Sequence, residues 1–225
     1  MTIEAVIFDR DGVLAFFDDP GIKTFFTSLL PIGIPKMRVH WDAHGVEHGA
    51  PRSLAEEKAF FASFWRRLRD AYDLPDETLS ALDAWDYRKF MQPYEDARPL
   101  LDWLRGQGIK IGVLSNFSLA SLEPSLEALG LADSVDVACS ASVIGVSKPE
   151  VAAFHITAER LGVAPERCLM LDDKIEHVLG ARAAGMQALL IDRNGTAPAD
   201  EAQAVRSLAD VAAFIQRQSH ASPQR

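Results

Sequence analysis

Apolar positions in this chain follow two different rhythms, and the change from one to the other divides it. Ala5 to Phe8 is a short apolar run rich in β-branched and aromatic residues, which predicts a strand covered on both faces. From residue 15 to about residue 92 the pattern is helical. Glu56 to Tyr72 puts Ala59, Phe60, Phe64, Leu68 and Tyr72 on one face and turns Arg66, Arg67 and Arg69 largely elsewhere. Ser53 with Glu56 three residues later is a capping box. Asp76 to Met91 reads as one or two further helices, and the Gly and Pro content of Gly45 to Arg52 reads as a loop.

From Tyr94 the rhythm alternates between helix and strand. Helices are predicted over Asp96–Gln107, Leu119–Leu129, Pro149–Leu161, after Asp173 through Ala184, and over Leu208–Arg217. Strands are predicted between them, over Ile109–Leu114, Val135–Cys139, Cys168–Leu171 and Gln187–Ile191. Strands alternating with helices of this length form parallel β-α-β units, so the fold class is α/β. Residues 1–14 and 93–225 then make one core. Residues 15–92 make a helical insertion at the carboxyl end of the first strand, the natural place for a lid or cap.

Composition narrows the picture further. The chain has 225 residues, 48% hydrophobic and 24% charged, which suits a globular domain with one insertion. A net charge of −9 argues against non-specific binding to nucleic acid or an anionic membrane. No apolar run is long enough to span a membrane and the N-terminus has no signal-peptide pattern. Cys139 and Cys168 sit in apolar strand contexts without metal spacing, so they are expected as buried thiols in a reducing cytoplasm. The expected partner is a small molecule, for a monomer or homodimer. Ser219 to Arg225 is a polar tail, expected to fray.

The chemistry gathers at four strand ends. Asp9 and Asp11 follow the first strand, Ser115 and Asn116 the second, Lys148 stands near the end of the third and Asp172-Asp173 at the fourth. In an open parallel sheet those ends share one crevice. Singly, Ser, Asn and Asp there could merely cap a helix, and Lys148 could be a solvated residue before Pro149. Together they match the needs of phosphoryl transfer. One carboxylate is a nucleophile, a second is an acid and base, others hold Mg²⁺, and a hydroxyl and a lysine hold the phosphoryl oxygens.

The ordered pieces DRDGV at 9–13, LSN at 114–116, SKPE at 147–150 and LDDKIEHVLGARAAG at 171–185 resemble the haloacid dehalogenase-like hydrolase superfamily. The similarity is to its subgroup with a helical cap after the first motif, as in phosphoglycolate phosphatases and β-phosphoglucomutases. The resemblance implies a Rossmann-like three-layer core. It implies Asp9 as nucleophile, Asp11 as general acid and base, Ser115 and Asn116 at the phosphoryl group, and Lys148 stabilising charge on that group. Mg²⁺ would be held by Asp9, Asp11 through its carbonyl, and Asp173, with Asp172 as a further ligand or a neighbouring acceptor. Asp11 favours phosphate-ester hydrolysis over 2-haloacid dehalogenation, which in this family dispenses with that acid. A phosphomutase keeps both acids and stays open, as does a non-catalytic binder of phosphorylated metabolites.

Two positions depart from the pattern. Arg10 separates the acids where the capped subgroup has a smaller or apolar residue, and His177 stands where related sequences often have Asn. A histidine there is expected as a helix-surface or capping residue. Within the cap, His48 and Arg52 are the groups expected to reach the substrate. His40 and His44 have the i, i+4 spacing of a metal pair, without a third ligand in view.

Overall fold

Strand β1 (Ala5–Phe8) is buried at every position, as its apolar run requires. The structure, a computed structural model, describes residues 2–196 and 204–220; residues 221–225 of the polar tail lie outside the described residues. Past Asp9 and Asp11 the chain does not enter a helix at once. β2 (Ala15–Phe17) pairs antiparallel with β3 (Met91–Pro93), Ala15 opposite Pro93 and Phe17 opposite Met91. The stretch expected to be helical from residue 15 to about 92 thus begins and ends in a two-stranded ribbon. Three residues on each side are too few to show a period. The ribbon exists because the chain leaves and re-enters the core at adjacent points, where backbone groups must find partners.

Between the two strands lie α1 (Asp19–Leu29), α2 (Ile34–His48), α3 (Leu54–Tyr72) and α4 (Asp76–Asp83), then a single 3₁₀ turn, Tyr87–Phe90. α2 runs through Gly45 to His48, so half of the expected Gly45–Arg52 loop is helix. An isolated glycine inside a helix costs only about 1 kcal/mol against alanine, and it is Gly49, at φ 76°, that ends the element. The cap of α3 forms as expected: Glu56 N–H donates to Ser53 Oγ at 3.2 Å. The Glu56 carboxylate accepts from Arg52 N–H at 2.8 Å, one residue earlier than a capping box requires. Phe60, Phe64 and Leu68 are buried as the periodicity predicts, joined by Trp65, whereas Ala59 is exposed and Tyr72 half-buried. Phe64, Trp65 and Leu68 meet Phe26, Leu74 and Leu82 in an aromatic-rich cluster among the cap helices.

The core continues through α5 (Ala97–Gly106), β4 (Lys110–Ser115), α6 (Leu122–Ala128), β5 (Val137–Ser140) and the short α7 (Ala141–Ile144). After these come α8 (Val151–Leu161), β6 (Cys168–Asp172), α9 (Ile175–Ala183), β7 (Gln187–Ile191), β8 (Ala204–Val205) and α10 (Ala209–His220). The six-stranded sheet is parallel, in the order β5-β4-β1-β6-β7-β8. Without the ribbon strands this is the doubly wound order of a Rossmann-like fold, whose direction reverses between β1 and β6. Alternation along β1 sends Val6 and Phe8 into one apolar cluster, with α5 and α10. Ala5 and Ile7 enter the other, with α8 and α9. The three layers follow from that alternation. β8 was not expected, since two residues carry no periodicity.

α9 approaches the backbone before α8 with no room to spare. A Cβ on Gly180 would stand 2.4 Å from the carbonyl oxygen of Pro149. Gly180→Ala should therefore destabilise the fold by about 1–3 kcal/mol. Equilibrium urea unfolding would show this as a lower midpoint with an unchanged slope.

Candidate active site

Asp9 continues the line of β1, and its N–H donates to the carbonyl of Leu171 on β6 at 2.9 Å, which carries the strand pairing one step past the strand end. The chain then turns back sharply: Leu14 and Ala15 both donate to the Arg10 carbonyl, and Gly12 N–H donates to Ala15. Gly12 sits at φ 80°, and a Cβ there would fall 2.3 Å from Asp173 Oδ2. Both the left-handed backbone and the close approach require glycine. They bring Asp173 directly against the loop that carries Asp9 and Asp11.

At the centre lies the Lys148 ammonium, fully buried, 2.6 Å from Asp172 Oδ2 and 3.1 Å from Asp9 Oδ1. Its backbone is gripped by Asn116, whose side-chain amide donates to the Lys148 carbonyl and accepts from the Lys148 N–H, both at 2.8 Å. Asp172 Oδ1 accepts from His177 Nδ1 and from Lys174 N–H, each at 3.0 Å. Ser115 is buried at the end of β4, and its hydroxyl makes no hydrogen bond among the described residues.

The electrostatics follow from this crowding. Burial raises the Asp9 carboxyl to about 6; Lys148 offsets part of that, and the neighbouring charges of Asp172 and Asp11 add to it. Burial also works against the charge on Asp172, but the hydrogen bond from His177 and the Lys148 ammonium outweigh it and hold this carboxyl below its ordinary value. Asp173 is raised, by desolvation first and the like charge of Asp172 second.

Several expectations change on this geometry. Asp172, expected as a ligand or a neighbouring acceptor, has both oxygens occupied and acts as the acceptor that holds Lys148 and His177. Among the described residues, ligand atoms of Asp9, Asp172 and His177 come within 4.8 Å of one another, but the last two are bonded together. Asn116, expected at the phosphoryl group, commits both ends of its amide to Lys148. His177 is buried rather than on the helix surface. Arg10, without a role in the sequence, is fully buried and takes both oxygens of Asp11.

The cap places its polar groups differently from expectation. The exposed His48 stacks on His44 with ring centres 4.1 Å apart, and Arg52 is exposed beside Glu56. Neither lines the two cavities at the cap–core junction, because α2 continues where a loop was expected. His40 bonds the Tyr72 hydroxyl and His44 the Ser63 hydroxyl, so the two share no ligand. One cavity, about 540 Å³, is bordered by Glu57, Lys58, Asp86, Arg88 and Ser121. The other, about 360 Å³, is walled by Phe17, Trp41, Phe61, Trp85 and Phe117, and lies beside the loop after Asn116. A contact that the sequence did not signal joins cap to core: Glu57 of α3, buried, accepts from both N–H and Oγ of Ser121 at 2.8 and 2.5 Å. The spacing of Glu57 on the apolar side of α3 could have raised it.

Comparison with known proteins agrees with this geometry. A model of the haloacid dehalogenase-like hydrolases matches residues 3–185, which contain every strand-end group named above. The chain belongs to the haloacid dehalogenase-like hydrolases. It is 37% identical over 201 residues to Phosphatase MT3486 of Mycobacterium tuberculosis, covering 87% of this chain and 90% of that protein. It is 29% identical over 195 residues to a phosphoglycolate phosphatase of Nitrosococcus oceani, covering 84% and 83%. A crystal structure of a HAD phosphatase from Thermococcus onnurineus superposes with a TM-score of 0.63 at 28% identity, covering 95% of this chain and 98% of that one. Within the superfamily, the chain is a phosphatase.

The raised Asp9 carries a stability consequence in the metal-free protein. Its folded value of about 6 lies above the ordinary 3.8, so the native state binds the proton more tightly. Stability then falls as pH rises between those values, and an ionised Asp9 costs stability throughout the neutral range. Asp9→Asn should raise Tm at pH 7.5 in chelator by a few degrees, at roughly 2–4 °C per kcal/mol. The gain should shrink as pH drops below 6, measured by thermal scans across pH.

Proposed function

We propose that this phosphatase hydrolyses phosphate monoesters of small metabolites through an aspartyl-phosphate on Asp9, with Mg²⁺ as cofactor. The observation that carries the reading is the buried Lys148 ammonium lying against Asp9 and Asp172 at once. A phosphate ester entering this crevice meets four carboxylates, Asp9, Asp11, Asp172 and Asp173. Against them stand Lys148, already shared, Arg10, already paired with Asp11, and Lys174, whose charge acts on Asp173. The balance is negative before the substrate arrives, so a cation is needed. The donors left for it are oxygens, which suit a hard divalent ion. Asp9, Asp173 and the carbonyl of Asp11 would hold Mg²⁺, which when bound neutralises charge on the phosphoryl oxygens.

Asp9 then attacks phosphorus. The bond to the leaving oxygen breaks, Asp11 gives that oxygen a proton, and the phosphoryl group stays on Asp9. In the second half Asp11 takes a proton from the water that attacks the aspartyl-phosphate, and Asp9 is released. The unpartnered Ser115 hydroxyl donates to a phosphoryl oxygen, while Lys148 keeps its charge facing the group in transfer. Asp172, His177 and Asn116 keep Lys148 in place. The leaving group extends toward the cap, where the aromatic cavity beside Phe117 lies. The phosphoglycolate phosphatase relative supports a small phosphorylated metabolite as substrate.

A panel of phosphate esters and 2-haloacids, assayed by phosphate and halide release, tests the reading. Turnover of esters should vanish in chelator and return with Mg²⁺, and Asp9→Asn should lower it by more than about 10³-fold. Equal turnover by the variant and the wild type, or halide release without metal, would overturn the proposal.

A further inference from the structure

Arg10 has a geometry with no use in the chemistry described so far. Its Nε donates to Asp11 Oδ1 at 2.9 Å and its Nη2 to Asp11 Oδ2 at 2.8 Å, a two-point fork that fixes both the place and the plane of that carboxylate. Its third arm, Nη1, donates to Ser125 Oγ on α6 at 2.8 Å, and Ser125 in turn donates to the Leu122 carbonyl at 2.6 Å. The guanidinium lies 4.0 Å from the centre of the Phe117 ring, in the loop that follows Asn116. Arg10 itself is completely buried, yet the Asp11 side chain keeps 39% of its surface exposed. The rigid partner is inside the protein and the reactive one faces the crevice. Each Asp11 oxygen that accepts from Arg10 keeps a second lone pair, where it can carry the proton that passes to the leaving oxygen.

Asp11 needs such a support. It sits at the start of a tight turn, half exposed, and a short carboxylate there has two torsions free. A carboxylic acid misplaced by about 1 Å can lose on the order of 10² in rate. Lysine could offer charge at this site but not the fork, and it could not stack on Phe117 in the same way.

We infer that Arg10 is the positioning residue for Asp11: it holds the carboxylate at the leaving oxygen, with Ser125 on α6 and the Phe117 ring as its fixed anchors. The inference rests on the reading of Asp11 as the acid of ester hydrolysis. It adds why this chain carries arginine between its two acids.

The test separates positioning from folding by changing the leaving group. kcat/KM reports the reaction only through transfer to Asp9, so it isolates the proton given to the leaving oxygen. 4-Nitrophenolate leaves with little protonation, whereas an alkoxide needs it. Arg10→Met should lower kcat/KM for the alkyl ester best used in the panel by roughly 10- to 100-fold, and for 4-nitrophenyl phosphate by less than about 3-fold. Arg10→Lys should fall between Arg10→Met and wild type on the alkyl ester. Added to Asp11→Asn, Arg10→Met should cause no further alkyl-ester loss, because the two residues act as one unit.

Equal losses on both esters would overturn the inference. If Asp11→Asn discriminates between the esters and Arg10→Met does not, the inference alone fails. If Asp11→Asn does not discriminate, the acid reading of Asp11 fails and the inference with it. Should Arg10→Met not fold, Ser125→Ala removes a single anchor, and it is expected to show a smaller loss confined to the alkyl ester. The same loss on both esters in that variant would equally overturn the inference.

Discussion

The arrangement of this molecule depends on one buried cation between two buried acids. Lys148 is fully buried, and its charge is tolerable because Asp172 lies 2.6 Å away, with Asp9 at 3.1 Å. The converse holds for the acids. Three separate strand-end segments therefore have to meet at one point, and their supports make sense as ways to hold that point. Asn116 clamps the backbone of Lys148, His177 and Lys174 complete Asp172, and Gly180 lets α9 close on Pro149. A lysine held this firmly against two acids is a poor device for stability and suits the charge-stabilising role proposed for it.

The balance at the centre also shapes the periphery. Asp9 is destabilised by its own burial, a condition that recurs at functional sites. Arg10 and Asp11 form a second pair beside the first, anchored on α6. The start of α6 is in turn held by the cap, where Ser121 donates its N–H and hydroxyl to Glu57 of α3 and pairs with the Tyr87 hydroxyl of the 3₁₀ turn. The β2–β3 ribbon and a polar clasp at the helix that supports Arg10 thus join cap to core, beside apolar contacts from Trp41, Phe61 and Trp85.

Long, periodic elements were legible because each repeats a local preference many times. The strands at β1, β4, β6 and β7 and the helices at α3, α5 and α8 each carry enough residues for a period to show. The ribbon strands and β8 carry two or three residues each, and only pairing with a distant segment defines them. Gly45 misled in the opposite direction. Glycine marks a turn where nothing else holds the chain, but inside a fifteen-residue helix its cost is absorbed by the neighbouring turns.

By itself the sequence determined the α/β class and the residue types at the strand ends. Each of these is written in local period or local chemistry. Which side chain touches which was decided by the fold alone. Asn116 could have faced a phosphoryl group, Asp172 a metal and His177 the solvent; each instead completes the surroundings of Lys148, from positions 24 to 32 residues distant. Arg10 is the clearest case. In the sequence it is an unexplained base between two acids, because the Ser125 hydroxyl that anchors it lies 115 residues away and reaches it only when α6 packs against the sheet.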